Sequence, residues 1–346
     1  MRKLIILCIF LAVLVMPVSA MELEPPDAPD SAAEYMPPNT ESFSEGLWHV
    51  FKTLLQKFQP SLAQAAGVCL SVIAAVLLCS VLQAYSGSTK RVTELVGAVS
   101  IGILLFGSAN SLLHMGIDTV GELTDYGKLL LPVMTGAMAA QGGATSSTAL
   151  YAGTALFSSL LSTAIYKFIV PLIYVYISIS IANSALGQSQ LAEIQKFVKW
   201  LMTWILKIIL YVFTGYMSIT GVITGSVDAA AIKAAKLTIS GVVPMVGGII
   251  ADASETILVS AALVKNSIGV YGLLAIISVL AGPFLKLGAQ YLLLKLTTAV
   301  CGVFGQKQAT SLVKDFSGVM GHVLAMVSTV GLLLMVSVVC FMKGLS

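Results

Sequence analysis

A chain of 346 residues that is 57% hydrophobic and only 10% charged, with mean hydropathy +0.95, cannot clothe itself for water, because soluble domains carry about 25% charged residues. Most of its surface must face lipid or other protein. The formal net charge is only +3 and no basic run is interleaved with aromatics, which excludes nucleic-acid binding.

The first residues read as a secretory signal, residues 1–20. Arg2 and Lys3 precede an apolar stretch from Leu4 to Met16, and Val18-Ser19-Ala20 offers small residues for cleavage. An uncleaved first span is the alternative, although the apolar stretch is short for one. Residues 21–45 hold seven acids, five prolines and no Lys or Arg. That composition predicts a disordered extracytoplasmic leader. Residues 46–60 form the next zone. Within it Leu47–Phe58 has helical apolar spacing with Lys52 and Lys57 on the polar side, which predicts an amphipathic helix at the interface with Trp48 at headgroup depth.

Residues 61–346 read as a polytopic membrane domain. A span needs about 20 mostly apolar residues. Seven runs free of Asp, Glu, Lys and Arg reach 18 or more: 58–89, 95–117, 129–166, 168–192, 208–227, 266–285 and 316–342. An eighth, 286–304, is interrupted by Lys286 and Lys295. The run 129–166 is too long for one helix and short for two with a loop. Its polar middle, Gln141 to Thr148, predicts two short helices or a re-entrant hairpin. The expected fold is all-α, with six to nine transmembrane or re-entrant helices. Lys90 and Arg91 after the first span, and later Lys196 and Lys199 beside Trp200 and Trp204, mark cytoplasmic boundaries. Beyond Lys207 charges are too sparse to orient the chain.

A weak internal repeat runs through this domain, near 92–199 and 204–311. A shift of 112 superposes Pro132 on Pro244, Pro171 on Pro283 and Gly136 on Gly248, among seven identities. A composition this poor in residue types supplies some of these by chance. Interrupted helices in duplicated halves are characteristic of many transporters.

The second half contains GVVPMVGGIIADASETI, from Gly241 to Ile257. Pro244 blocks a helix, and Gly247 and Gly248 permit close backbone approach. Asp252 with Glu255 three residues on is a helix-start pattern. On the following helix Asp252, Glu255, Thr256 and Asn266 share one side, while Lys265 points away. These residues are the candidate polar broken-helix site. They form a surface connector, a cavity between helices that meets an ion, proton or solute, or a protein–protein contact. Pro132, Gly136, Gln141, Gly142 and Gly143 are the counterpart in the first repeat.

Other motifs carry less. The five cysteines, Cys8, Cys69, Cys79, Cys301 and Cys340, lack CxxC spacing and read as small hydrophobes. His114 and Asp118 share a helical face, but two residues make no metal site. His49 and His322 have no acidic neighbour at ligand spacing. Lys207, Lys286 and Lys295 snorkel to headgroups or line a pore. The GxxxG at Gly221–Gly225 suits close helix packing. With no GxSxG, HExxH or P-loop pattern, neither catalysis nor ATP-driven transport has a foothold, and no cofactor is expected.

The stretch from Ala235-Lys236 through Pro244 and Gly247 to ASETILVSAALVKNSIGVYG (Ala253–Gly272) resembles the stage III sporulation protein AE family. Thr256, Ser260, Lys265-Asn266, Gly269 and Gly272 carry the likeness, with the signal peptide, polar leader and multispan body. The leader is shorter than is usual there. The resemblance implies a mother-cell membrane protein of endospore formers, inserted around the forespore. It further implies partners: other stage III A proteins, including ring-forming subunits and a secretion-type ATPase, and a forespore-membrane component of a joint channel. It supplies no catalytic residues. An ion-coupled secondary transporter and a non-conducting scaffold are the competing readings.

Overall fold

The computed structural model describes residues 24–37, 42–85, 90–186, 189–242, 247–304 and 307–343, with side chains over 221–265 and at 90, 189 and 190 left out. A short helix α1 (Asp30–Ala33) precedes seven long elements. These are α2 (Phe43–Tyr85), α3 (Lys90–Ala140), α4 (Ala144–Ala164), α5 (Val170–Leu186), α6 (Ser189–Val242), α7 (Gly247–Val303) and α8 (Lys307–Lys343). A π-helical turn, Ile165–Ile169, joins α4 to α5 into one rod. Six of these rods are long and apolar enough to cross a membrane. The chain is therefore an all-α, multi-pass membrane protein.

The charge-free runs overcount the rods, because charges do not end these helices. Lys128 lies inside α3, Lys167 in the π-turn, and Lys286 inside α7. Runs 266–285 and 286–304 are one helix, and so are 95–117 and the first part of 129–166. The reason is length. At about 1.5 Å per residue, α3 with its 51 residues is about 75 Å long, against a hydrocarbon core of about 30 Å. Each rod has room for a span, a charged belt and a projecting segment.

Prolines fall inside rods for the same reason: packing holds helices that local chemistry would weaken. Pro60, Pro132 and Pro283 lie within α2, α3 and α7. Pro171 lies two residues after the π-turn ends. A proline ring crowds the carbonyl four residues back, here Lys167, and the wider π geometry relieves that clash.

The run 129–166 does break, at Gln141–Gly143. The end of α3 is a Schellman motif. Gly143 N–H donates to Met138 O at 3.1 Å and Gly142 N–H to Ala139 O at 2.9 Å. Gly142 has φ 95°, the left-handed conformation such a cap requires.

The amphipathic stretch predicted at 46–60 is not a separate element. It continues into α2 without interruption. Nor is the described part of the leader, 24–37, free of the bundle. Ala28 N–H donates to Tyr271 Oη at 3.3 Å and Ser31 N–H to Glu122 Oε1 at 3.3 Å. Glu34 pairs with Lys57, whose Nζ also sits 4.7 Å from the centre of the Tyr35 ring. Ala32 and Tyr35 are buried. Burial and the adjacent Glu34 carboxylate push the Tyr35 phenol above its ordinary value. Composition predicts disorder by counting what a segment can bury within itself. This leader buries its few apolar groups against α2, α3 and α7. The signal segment lies outside the described residues.

The last helix, α8, forms the heart of the bundle. It packs against α3, α4, α5, α6 and α7. Leu312, Phe316, Val323, Met326, Leu333 and Phe341 are buried along its whole length. Lipid-facing apolar groups lie on the outer rods: Leu78 and Leu82 on α2, Ile103 on α3, Phe168 in the π-turn, and Trp200, Trp204 and Tyr211 on α6. Hydrogen bonds stitch the rods where polar groups meet in the interior. Thr154 Oγ1 donates to Ser337 Oγ at 3.0 Å, and Thr124 and Ser162 hydroxyls meet at 3.0 Å.

The rods alternate in direction, so the junctions α2/α3, α5/α6 and α7/α8 gather at one end. Lys90 and Arg91, Lys196 and Lys199, and Lys307 and Lys314 cluster there. The positive-inside rule assigns that end to the cytoplasm, which orients the half of the chain that sequence alone leaves open. In a cysteine-free background, single cysteines at the exposed positions Tyr85 and Val303 should react with a membrane-impermeant maleimide only from the cytoplasmic side. Thr148→Cys should react only from the opposite side. The reverse pattern would overturn this orientation.

Candidate functional site

The expected broken-helix site falls where α6 ends at Val242 and α7 begins at Gly247. Pro244 lies outside the described residues, as do the side chains of Asp252, Glu255, Thr256 and Lys265. Gly247 and Gly248 open α7, and Asn266 is exposed on it. Of the proposed counterpart, Pro132 and Gly136 lie within α3, and Gln141, Gly142 and Gly143 form the turn to α4. A shift of 112 carries Gly142 to Ser254, inside α7 rather than at its start.

The described side chains concentrate polar chemistry elsewhere, at the lysine-rich end where α5, α6 and α8 meet. Tyr176 on α5 donates its phenol to Asp315 Oδ1 on α8 at 3.3 Å. Gln195 on α6 donates its amide to Ser180 Oγ on α5 at 2.7 Å, and also stands beside Tyr176 and Asp315. Two turns along α8, the His322 ring lies tilted beside the Tyr176 ring, 6.5 Å between centres. Its Nδ1 lies 2.7 Å from Gly318 O and its Nε2 3.3 Å from Thr203 Oγ1 on α6. A carbonyl can only accept, so Nδ1 carries a proton, while the Thr203 hydroxyl spends its own proton on Lys199 O at 2.9 Å. Lys199 is close enough to act electrostatically on both Asp315 and His322.

Helix geometry explains the gathering. Asp315 and His322 are seven residues apart, two turns on one face of α8. Tyr176 and Ser180 are one turn apart on α5, and Gln195, Lys199 and Thr203 are successive turns on α6. Three facing stripes therefore supply one cluster. Asp315 Oδ2 is buried with no hydrogen-bond partner. Beside the cluster a cleft of about 360 Å³ opens between α6, α7 and α8, with Lys199, Thr203, Tyr291 and His322 in its wall.

Asp315 stands half-buried at the edge of the charge-free run 316–342, and leaving one of its oxygens without a partner there is costly. The same bonds also clamp three helices together. Sequence reasoning passed over Asp315, since the pair Lys314-Asp315 reads as an ordinary solvated boundary. The one available signal was the seven-residue spacing to His322. Among the described residues no three His, Cys, Asp or Glu side chains come together as a metal site. His114, Asp118 and His49 are exposed.

The family model for stage III sporulation protein AE matches residues 34–344. A curated relative, the Stage III sporulation protein AE of Bacillus subtilis (strain 168), is 22% identical over 240 residues, covering 68% of this chain and 60% of the relative. The chain thus aligns with less than two thirds of that relative's length. No solved structure matches the chain.

Proposed function

The chain belongs to the stage III sporulation protein AE family, and from that membership we propose that it is an integral membrane subunit of the apparatus joining mother cell and forespore. It sits in the mother-cell membrane around the forespore. Its proposed partners are the other stage III A proteins, ring-forming subunits and a secretion-type ATPase among them, and a forespore-membrane component. This is a sporulation family, not a known enzyme family.

The observation that carries a platform role is the filled centre of the bundle. The axis is occupied by the packed side chains of α8, so a conduit would need walls shared between copies or with partners. Rods about twice as long as the hydrocarbon core is thick offer docking surface beyond the bilayer. Deleting the gene in its spore-forming host should arrest development after engulfment. Normal yields of heat-resistant spores from the deletion strain would refute the proposal.

Ion-coupled transport is the second reading, and half-buried Asp315, with its Oδ2 unpartnered, now favours it as much as the Asp252–Glu255 segment does. Asp252→Asn with Glu255→Gln should abolish spore formation at normal membrane abundance if that segment lines a cavity. Full sporulation of the double variant leaves the surface-connector reading. Crosslinks to ring proteins without solute movement in reconstituted vesicles would favour a plain scaffold.

A further inference from the structure

A second polar cavity lies between α2, α3 and α7. It is a half-open groove of about 470 Å³ walled by Ser61, Gln64, Ser108, Ser111, Lys286 and Gln290, with apolar side chains between them. Gln290 is only 3% exposed. It makes no hydrogen bond to any described residue, so its amide is held in the cavity wall with its polar atoms unspent. Lys286 has no carboxylate partner among the described residues. The nearest lysine along α2, Lys57, is neutralised by Glu34. Its carbonyl also accepts from Ser61 Oγ at 3.1 Å.

The depth of the cavity limits what it can hold. Ser111 precedes Asp118, the end of an apolar run, by seven residues, about 10 Å along the helix. Ser61 lies at the start of the apolar part of α2. The cavity therefore runs inward from that edge beneath the headgroups, with exposed Leu104 in its wall. One unpaired ammonium, two amides and the hydroxyls of Ser108 and Ser111 form a donor-rich, net positive cradle. A cation would be repelled, and an apolar ligand would leave the amide of Gln290 unsatisfied.

We propose that this cavity binds a phosphate oxyanion, with Lys286 as its charge partner and Gln290, Gln64, Ser108 and Ser111 as hydrogen-bond donors. The two sources of such a group are an anionic phospholipid headgroup and free phosphate. Lys286 meets the charge by a charge-assisted bond, the stronger class, and its stem crosses the apolar rim. Gln290 fixes the position.

The test uses the full chain, purified in a neutral detergent and titrated with dioctanoyl phosphatidylglycerol, dioctanoyl phosphatidylcholine or inorganic phosphate. Lys286→Gln, Gln290→Leu and Lys295→Gln are compared with the parent by binding and by thermal melting. Saturable binding of phosphatidylglycerol in preference to phosphatidylcholine, weakened about tenfold by Lys286→Gln, supports the site with a lipid as its source. Binding of inorganic phosphate with the same sensitivity to Lys286→Gln supports it with free phosphate as the source. Gln290→Leu should weaken either one severalfold. Lys295→Gln, on the same helix and over the Tyr291 ring, should leave it unchanged. Equal binding of the two lipids with no phosphate binding would overturn the proposal. So would a Lys286→Gln chain that melts and binds like the parent.

Discussion

Gly153→Leu should all but remove the protein from the membrane. A Cβ at position 153 would overlap Tyr216 Cε1. The ring has no easy retreat. Its hydroxyl donates to Ala149 O at 3.2 Å, and Phe157 lies against it at 5.8 Å between ring centres. Phe157 also meets buried Phe213 edge-on at 5.5 Å. This aromatic cluster joins α4 to α6, and a small residue at its centre is what lets the two rods approach. Overpacking commonly costs about 1–3 kcal/mol and more where nothing can yield, enough to lower cellular abundance severalfold. Gly153→Ala should show the same defect in milder form, eased by a second change, Tyr216→Ala. Gly215→Ala is the control, since nothing lies within 4 Å of a Cβ there. Immunoblots of membrane fractions and melting in detergent read the outcome. Normal levels and melting of Gly153→Leu would show that α4 and α6 do not pack this way.

Much of the fold is legible in the sequence because lipid imposes a blunt rule. Long runs without charge must be helices, and Gln141-Gly142-Gly143 could only interrupt one. What the rule misses is where helices end. Lys128, Lys167 and Lys286 look like boundaries when a span is assumed to be one bilayer thick. In rods of 43 to 57 residues they are mid-helix features. The docking of the leader was illegible for a related reason. Tyr35 and Ala32 find their apolar partners on α2 and α7, at separations no local pattern reveals.

The site divides along the same line. Pro244 to Asn266 attracted notice because its anomalies are adjacent in sequence. The Asp315 cluster draws on α5, α6 and α8, and Tyr176 and Asp315 are 139 residues apart. Each member alone reads as ordinary: a tyrosine in a span, a glutamine near a helix start, an acid beside a lysine. Only packing makes them a group.

The half-buried Asp315 carboxylate is the chemical centre of this account, and two substitutions separate its possible duties. Asp315→Leu would orphan the Tyr176 phenol and leave Gln195 short of a neighbour, at about 1–3 kcal/mol for each buried group left unpaired. It should lower abundance as well as function. Asp315→Asn keeps the size and an oxygen for Tyr176 while removing the charge. The most direct measurement is therefore the yield of heat-resistant spores from a host whose only copy carries Asp315→Asn, with the protein quantified in the membrane fraction. At parental abundance the yield should fall about tenfold or more, because a charge kept among packed helices at such cost is kept for use. Parental spore numbers at parental abundance would reduce the cluster to a clamp between three helices and contradict the account.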